Sequence, residues 1–384
     1  MPQLGRGGLV VAMALVLANI ETASAQRGGR GNAADSAAAG RQGGGGRQGA
    51  APTRNLTNVL GGVPLTAADS MVNSIVSRLD FESYKGLIKG LTQFGDREQG
   101  TPRNAQAVDW IEAQLKSWGY TTERIKYTYT PRGDSISQPR EQVFATRIGS
   151  SMPQEMYIIG GHMDGRGGGE AANDDGSGTA LVMEIARVLA AADVQTSRSI
   201  RFALWNNEET GLQGARAYVD QRKNLQGIEN PRGSGKYPEP KWLGMIQHDM
   251  MMWDHGNPVQ FQQVLDADVD IEFQLNSAKA AESAALALQL LNANRLFATD
   301  YPAVMSNAMS NTDSTPFMDL APAVSLRENR RLYETGNRAN PHWHRPTDLF
   351  VTFSDADFRL GFNAAQTTLG ALARLAEARI VPKT

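Results

Sequence analysis

The chain of 384 residues contains no cysteine. This absence excludes disulfide bonds, thiol nucleophiles and cysteine-ligated metals, and it leaves histidine, aspartate and glutamate as the strong metal ligands. The chain also lacks an excess of charge of one sign, since 38 Lys and Arg stand against 40 Asp and Glu. A balanced charge gives no indication of an anionic partner, and we therefore expect no nucleic-acid partner.

Long hydrophobic runs are scarce, and the N-terminal one is short. Arg6 provides a positive start, Leu9 to Ile20 form an apolar run, and Ala23 to Ala25 form a small-residue cleavage site. This pattern predicts a signal peptide over residues 1–25 and export to the periplasm or the medium. The alternative is an uncleaved anchor, but a membrane span needs about 20 apolar residues. We therefore expect no stable membrane insertion after cleavage.

The next stretch has no large apolar side chains. Residues 27–54 consist mainly of Gly, Ala, Gln and Arg, and Asp35 is the only acidic residue among them. Such a segment cannot bury enough apolar surface to fold, so we predict a low-complexity linker over residues 26–60. The remaining residues, 61–384, have a length that suits a single large catalytic domain.

Within that domain, apolar runs typical of strands alternate with helical patterns. The predicted helices are 67–79, 84–94, 104–118, 178–191, 211–221 and 278–292. The predicted strands are 122–129, 142–148, 156–159, 199–205, 243–249 and 323–326. Apolar strands separated by helices indicate an α/β fold, a three-layer α/β/α sandwich with a mostly parallel mixed central sheet.

Acidic residues and histidines cluster just after the predicted strands. Ligands of open α/β sheets bind beyond the carboxyl ends of the strands, so these residues would meet in one crevice. Each cluster alone is a weak signal, because a lone histidine is usually structural and a lone aspartate before a helix is usually a cap. Together, however, so many carboxylates would repel one another without a divalent cation. The clusters are His162–Asp164, Asn173–Gly178, Asn206–Glu209, Asp249 and His342–Asp348.

The order of these clusters resembles the co-catalytic zinc peptidases that include bacterial leucyl aminopeptidase, aminopeptidase Y and glutamate carboxypeptidase. The resemblance runs from about Tyr84 to the C-terminus. It is carried by His-x-Asp at 162, Asn-Asp-Asp-Gly-Ser-Gly at 173, Glu-Glu at 208, Asp249, and His-x-Pro-x-Asp at 344. The second and third elements together are highly specific.

The resemblance implies a site with two Zn²⁺ ions. His162 and Asp249 would bind one zinc, Glu209 and His344 the other, and Asp174 would bridge both. Glu208 would be the general base for attack by a zinc-bridging hydroxide on peptide substrates. The resemblance also implies a cis peptide bond between Asp174 and Asp175.

Further residues are candidates for supporting roles. Asp164 is placed to accept the second ring N–H of His162 or to lie in the outer shell, and Asp348 could serve His344 in the same way. His342 could replace His344 by residue type, but the motif favours His344. His248 would face away from the metals in its strand, so a structural role is expected.

One departure from the family pattern lies at Thr312–Ser314. Asp313 matches, but Ser314 stands where many members have a histidine. If that histidine helps to hold the substrate or the oxyanion in relatives, this chain would do so differently or less well. Asp313, Tyr301 and Tyr333 are our candidates for substrate binding, the two tyrosines as hydrogen-bond donors to a tetrahedral intermediate.

Three functions follow from this site. The first is an exported zinc aminopeptidase that releases N-terminal residues. The second is a carboxypeptidase or another amide hydrolase on the same metals, for which Arg327, Arg330 and Arg331 are candidate partners of a substrate carboxylate. The third is a metal-free, receptor-like relative, which the intact ligand set disfavours. The sequence carries no indication of the preferred side chain or of the oligomeric state.

Overall fold

The computed structural model describes residues 66–254, 269–307, 309, 311–328 and 340–382. The predicted signal peptide and linker lie outside these residues, as do Tyr333, Arg330 and Arg331. No helix within the described ranges is both long and apolar enough to cross a membrane.

Seven α-helices are described, and side-chain caps define where several of them begin. Thr66 and Asp69 form a capping box at the first helix, and Ser354 and Asp357 form another at the last. Each box satisfies backbone N–H groups that a helix start would otherwise leave without acceptors. The helices are α1 (Ala67–Val76), α2 (Phe81–Thr92), α3 (Pro102–Ser117), α4 (Gly176–Leu189), α5 (Gln213–Arg222), α6 (Ala280–Phe297) and α7 (Asp355–Leu375).

The described strands form one large mixed sheet and one small ladder. The large sheet has eight strands in the order β1-β2-β5-β3-β6-β9-β7-β8, and β4 pairs with β10. Strands β5, β3, β6 and β9 are mutually parallel and occupy the centre of the sheet. The strands are β1 (Thr122–Tyr129), β2 (Gln138–Arg147), β3 (Met152–His162), β4 (Val194–Gln195), β5 (Arg198–Trp205), β6 (Lys241–His248), β7 (Val269–Glu272), β8 (Ala303–Ser306), β9 (Ala323–Arg327) and β10 (Arg379–Ile380).

Each face of this sheet has its own apolar core. Ile159, Phe202 and Ile246 point into the larger core, which helices α1, α2, α3, α4, α6 and α7 cover. The alternate residues of the same strands point into the smaller core, under α5 and the 3-10 turn Thr315–Phe317. Alternation with a period of two residues places neighbouring side chains on opposite faces. The architecture is therefore the predicted three-layer α/β/α sandwich.

Some elements lacked a clear sequence signal. Helix α7 was not predicted, since Gly361, Gly370 and many small or polar residues interrupt its apolar face. Strands β7 and β8 were also not predicted. Both have only four residues, and β7 carries Asp270 and Glu272 at positions that are buried. A charged residue in a strand is normally solvent-exposed, so the pattern resembled a loop.

A buried polar network ties the segment after α5 to the sheet. The Glu239 carboxylate accepts hydrogen bonds from Arg201, from the Tyr218 hydroxyl at 2.6 Å and from the Trp242 indole. Arg201 is buried, and its guanidinium also lies 4.3 Å from the centre of the Phe144 ring. A buried charge is tolerated when it is paired and hydrogen-bonded, as it is here.

Candidate metal centre

The central parallel strands deliver the candidate ligands to one edge of the sheet. His162 is the last residue of β3 and pairs in register with Trp205, the last residue of β5. Glu208 and Glu209 follow three and four residues after Trp205. Asp249 follows β6, the other neighbour of β3. Adjacent parallel strands therefore end at the same level and bring these side chains together.

Asp174 lies between the two histidines. Its Oδ1 is 3.2 Å from Nε2 of His162, and its Oδ2 is 3.0 Å from Nε2 of His344. The His344 Nε2 is also 2.9 Å from Oε2 of Glu209, and the His162 Nε2 is 3.8 Å from Oδ1 of Asp249. Each oxygen of Asp174 thus faces a different imidazole, as a bridging carboxylate requires.

These contacts divide the site into two donor groups. His162, Glu208 and Asp249 form one group, and Asp174, Glu209 and His344 form the other. Within each group the possible ligand atoms lie within 4.8 Å of one another. The peptide bond between Asp174 and Asp175 is cis, as the resemblance implies.

Burial and mutual repulsion perturb the carboxyl groups of this site. Burial and the neighbouring charge of Asp174 raise the pKa of Glu209 to about 7. Burial also raises the pKa of Glu208 well above its usual range, and the nearby Asp313 adds to that shift. The pKa of Asp313 is raised well above its usual range by burial and by neighbouring carboxylates. So many buried acids in one crevice favour a bound cation.

The histidines respond in the opposite direction. Burial alone lowers the pKa of His162, but the carboxylates of Glu208 and Asp174 outweigh burial and raise it well above its usual range. For His344, burial is likewise outweighed by Asp174 and Glu209, and the pKa rises to about 9. Both imidazoles are therefore held in an environment that attracts positive charge, whether it comes from a proton or from a metal ion.

Unsatisfied oxygens give an independent test of whether a metal fits. The buried Oε1 of Glu209 has no hydrogen-bond partner among the described residues, and both carboxylate oxygens of Asp313 are in the same situation. A buried carboxylate oxygen without a partner is costly. A metal ion bound by Glu209 would remove that cost. The other carboxylate oxygen of Glu209 already faces a second candidate ligand, His344. Imidazole and carboxylate donors are those that zinc prefers.

Of the two roles expected for Asp164, its contacts agree with the one in the outer shell of the site. The backbone oxygen of Asp164, and not its carboxylate, lies 2.9 Å from Nδ1 of His162. The carboxylate instead accepts the backbone N–H groups of Glu208 at 3.1 Å and Glu209 at 3.4 Å. Asp164 therefore orients His162 with its main chain and the Glu-Glu turn with its side chain.

Asp348 supports the site, but not through the hydrogen bond to His344 that the sequence suggested. Its carboxylate does not accept a hydrogen bond from His344 but from the backbone N–H groups of Asn173 at 2.8 Å and Asp174 at 3.1 Å. Asp348 therefore fixes the main chain of the residue that lies between the two histidines. The difference arises because the loop after His344 folds back over the Asn173–Asp174 turn.

Two further residues, Asp175 and Arg97, support the site through contacts that the sequence did not specify. Asp175 accepts hydrogen bonds from the backbone N–H of His162 at 2.9 Å and of Gly178 at 2.8 Å. It therefore caps α4 and positions His162 at the same time. Arg97 is fully buried and donates to the carbonyl oxygens of Met163 and Ala171. An aspartate before a helix suggests a cap, but nothing in the sequence indicates the hydrogen bond between Asp175 and His162 or the hydrogen bonds of Arg97.

The other two histidines within the described residues have structural partners. His342 contacts the Thr347 hydroxyl at 2.9 Å and stacks edge-on against Trp253, whereas His344 faces Asp174 and Glu209. His248 is buried, and its two ring nitrogens lie 2.9 Å from the Gly160 carbonyl and from the Thr368 hydroxyl. The structural role expected for His248 agrees with these contacts.

Of the three candidates for substrate binding, one has partners inside the protein, one is buried and one lies outside the described residues. The Tyr301 hydroxyl donates to the Ala356 carbonyl at 3.0 Å and also lies 3.3 Å from Asp254. It is therefore already engaged at the start of α7. Asp313 has no exposed surface in this structure, so its contact with substrate stays a prediction. Tyr333 is outside the described residues.

The substitution at Ser314 does not open the site. The side chain of Ser314 is fully buried and lies 2.7 Å from the Ser325 hydroxyl on β9. This position faces the protein interior. Ser314 therefore does not take over a substrate contact.

Arg327 has a different role from the one suggested by the sequence. Its side chain is 3% exposed and forms ion pairs with Oδ2 of Asp249 at 3.0 Å and with Glu272 at 3.2 Å. A buried arginine that already neutralises two carboxylates is not available for the carboxylate of a substrate. The Arg327 part of the carboxypeptidase hypothesis is therefore wrong. Arg327 contacts Oδ2 of Asp249, and the other carboxylate oxygen, Oδ1, faces His162.

Comparisons with known proteins find relatives over part of the chain. The chain is similar to leupeptin-inactivating enzyme 1 of Streptomyces exfoliatus, with 31% identity over 141 residues, which cover 37% of this chain and 30% of the relative. It is also similar to a protein of Leptosphaeria maculans named a probable zinc metalloprotease, with 29% identity over 184 residues and 42% coverage of each chain. The chain thus matches less than half the length of these relatives.

Solved structures show the same fold. The aminopeptidase LapA of Legionella pneumophila superposes with a TM-score of 0.59 at 18% identity, covering 82% of this chain and 76% of LapA. The family model described as peptidase family M28 matches residues 142–364, which are more than half of the chain and include all six donor residues. The chain belongs to peptidase family M28.

Proposed function

We propose that this protein is a metallo-aminopeptidase that uses two zinc ions to release N-terminal residues from peptides. The observation that carries the proposal is the pair of donor groups joined by Asp174, whose two oxygens face His162 and His344 at 3.2 and 3.0 Å. Membership of a peptidase family and the aminopeptidase fold of LapA support the same reading.

The assignment of zinc ligands follows from the donor types. His162 and Asp249 would hold one ion, Glu209 and His344 the other, and Asp174 would contact both. When bound, zinc ions at such a site would supply Lewis-acid chemistry, lowering the pKa of a water molecule and polarising the scissile carbonyl. The protein fixes this arrangement through Asp164, Asp175 and Asp348, which hold the main chain around the ligands.

Glu208 is the residue that we assign to proton transfer. The residue is 8% exposed, and its backbone N–H donates to the Asp164 carboxylate. The raised pKa makes this carboxylate a stronger base than an exposed glutamate. It can therefore accept a proton from the attacking water and return it to the leaving amine.

The distribution of charge favours recognition of an amine. Asp313 and Glu208 place buried acidic groups near His162, and Asp313 has no hydrogen-bond partner among the described residues. Such a surplus attracts a substrate ammonium group. The carboxypeptidase alternative loses support because Arg327 is buried between Asp249 and Glu272.

A blocked substrate tests this choice. We expect the zinc-loaded protein to hydrolyse leucine p-nitroanilide but not N-acetyl-leucine p-nitroanilide. A chelator should abolish the activity, and added zinc should restore it with two ions per chain by atomic emission. Equal hydrolysis of both substrates would exclude the aminopeptidase assignment, and a single ion per chain would exclude the two-zinc site.

We also propose that residues 1–25 direct export, that residues 26–60 form a linker and that the catalytic domain begins at about residue 61. The support is the charged, apolar and small-residue order of the N-terminus. N-terminal sequencing of protein recovered outside the cytoplasm should begin at Gln26. Recovery only from the cytoplasm with Met1 intact would contradict the proposal.

A further inference from the structure

A cavity of about 870 Å³ lies at the end of the sheet opposite the candidate metal centre. Its lining includes Pro153, near the start of β3, and Ala190, just after the end of α4. Strand β3 ends at His162 and α4 begins shortly after Asp174, so both elements have one end at the cavity and the other at the metal centre. The cavity shares no residue with the two donor groups. Its volume is typical of a small-molecule site, about 300–1,000 Å³.

Aromatic residues form much of the wall of this cavity. Trp118 and Tyr120 lie between α3 and β1, Phe144 belongs to β2, and Tyr237 lies between α5 and β6. Ile148, which is 61% exposed, adds an aliphatic side chain to the lining. A concave wall of this composition favours a ligand that carries an aromatic ring.

Two cations without a carboxylate partner line the same cavity. Within the part of the chain that the structure describes, neither Arg147 nor Lys236 forms an ion pair. The Arg147 guanidinium donates to the Val194 carbonyl. Burial raises the pKa of the Tyr120 hydroxyl, and the positive charge of Arg147 opposes that rise. The charge of Arg147 therefore acts directly beside the aromatic wall.

The other charged residues of the lining are already paired. Arg201 donates to Glu239, and Glu123 lies 3.1 Å from Arg222. The uncompensated charge of the cavity is therefore positive. A guanidinium presents paired N–H donors whose geometry matches a carboxylate. The carboxylate of Glu123 would repel a polyanion such as a nucleotide, so the charge pattern favours a ligand with one negative charge.

We propose that this cavity is a second binding site, which takes an aromatic compound with a single carboxylate. The ring would lie among Trp118, Tyr120 and Tyr237, and the carboxylate would pair with Arg147 and Lys236. Two sources offer this chemistry, the aromatic C-terminal residue of a peptide and a free aryl acid. The inference goes beyond the proposed peptidase function and does not depend on it, since the cavity and the metal centre share no residue.

Direct binding to the zinc-loaded full chain tests this site. N-acetyl-tryptophan represents the C-terminus of a peptide, and indole-3-propionate represents a free aryl acid. By isothermal titration calorimetry we expect at least one of these acids to bind with one equivalent per chain and a Kd on the order of 0.1 mM. The neutral amide of that acid should bind about tenfold or more weakly, because it lacks the charge-assisted hydrogen bonds.

Variants locate the binding in the cavity. Arg147→Gln should weaken binding of the acid about tenfold or more, and Arg147→Lys should weaken it less, since it keeps the charge but loses the paired donors. Lys236→Gln, at an exposed position, should weaken binding about twofold to fivefold. Thr121→Trp, at an exposed position of the lining, should block the cavity. The matched control is Arg359→Gln, which should bind as the parent does because its guanidinium stacks on Phe81 outside the cavity.

A functional control shows that these variants are folded. Each should keep the parent kcat on leucine p-nitroanilide, because none of the changed residues belongs to a donor group. If the parent does not hydrolyse this substrate, the aminopeptidase function fails, while the binding test remains valid with circular dichroism as the check of folding.

Four outcomes would overturn the proposal. Neither acid may bind saturably up to about 5 mM, a concentration well above the expected Kd. The acid and its amide may bind equally, which would leave no role for Arg147 and Lys236. Adenosine monophosphate may bind more tightly than both acids, which would assign the cavity to another class of ligand. Finally, binding may survive Arg147→Gln and Thr121→Trp unchanged but disappear on removal of zinc, which would place the acid at the metal centre.

Discussion

Replacement of Glu208 tests the central mechanistic assignment. The Glu208 carboxylate lies in the same donor group as His162 and Asp249, so its position is compatible both with a base and with a metal ligand. Glu208→Gln keeps the shape of the side chain but removes its capacity to accept a proton. The variant therefore separates the two roles, provided that activity and metal content are measured on the same samples.

The expected size of the effect follows from the contacts that remain. His162 still has Asp174 Oδ1 at 3.2 Å and Asp249 Oδ1 at 3.8 Å, so three donors survive on that side. We therefore expect the variant to keep two zinc ions. Loss of a general base lowers kcat by on the order of 10² or more, which corresponds to about 3 kcal/mol of barrier. Glu208→Ala should give a loss in the same direction.

The assay is kcat on leucine p-nitroanilide, with metal content measured by atomic emission. Glu123, which pairs with Arg222 on the surface, provides the matched control Glu123→Gln, and this variant should retain parent activity. Full activity in Glu208→Gln would refute the proton-transfer role. Loss of one zinc ion together with activity would show that Glu208 is a ligand and not the base.

Three further predictions concern metal binding and stability. Asp174→Ala should bind markedly less zinc and lose activity, because the carboxylate shared by both donor groups is gone; normal metal content in equilibrium dialysis would contradict the bridging role. Glu239→Ala should lower the free energy of unfolding in urea by about 3 to 5 kcal/mol, because buried Arg201 is left without its carboxylate, and a loss below about 1 kcal/mol would contradict this reasoning. Burial lowers the pKa of His248 to about 4, so the unfolded chain takes up a proton first as the pH falls. The stability difference between the parent and His248→Asn should be constant above pH ~6.5 and should fall by about 3 kcal/mol towards pH ~4; a constant difference across that range would exclude the shift.

The buried ion pairs show where sequence reasoning reached its limit. Arg327 looked like one of several arginines available to a substrate, but strand β7 brings Glu272 beside it and Asp249 completes the cluster. Whether an arginine is a ligand for substrate or an internal counter-ion depends on which strands become its neighbours. The short, charged β7 had no clear strand pattern, so this neighbour could not be predicted.

Contacts between distant loops were equally hidden. Asp348 was expected to support His344, four residues earlier, because sequence proximity was the only guide. It contacts Asn173 and Asp174 instead, at a separation of 174 or more residues. Arg166 was not among the predicted site residues. Its contact with His344 arises because the glycine-rich loop after Asp164 packs on the loop that carries His344.

The sequence by itself determined the fold class and the kind of chemistry. Alternating apolar strands and helices specify the sandwich, and an unusual set of acids and histidines after the strands indicates divalent metals, since both signals are local and repeat along the chain. Tertiary structure decided how each group is used: which oxygen of Asp174 faces which imidazole, and which arginine is buried or exposed. These roles depend on distances of about 3 Å between residues far apart in the chain, and no local pattern encodes such distances.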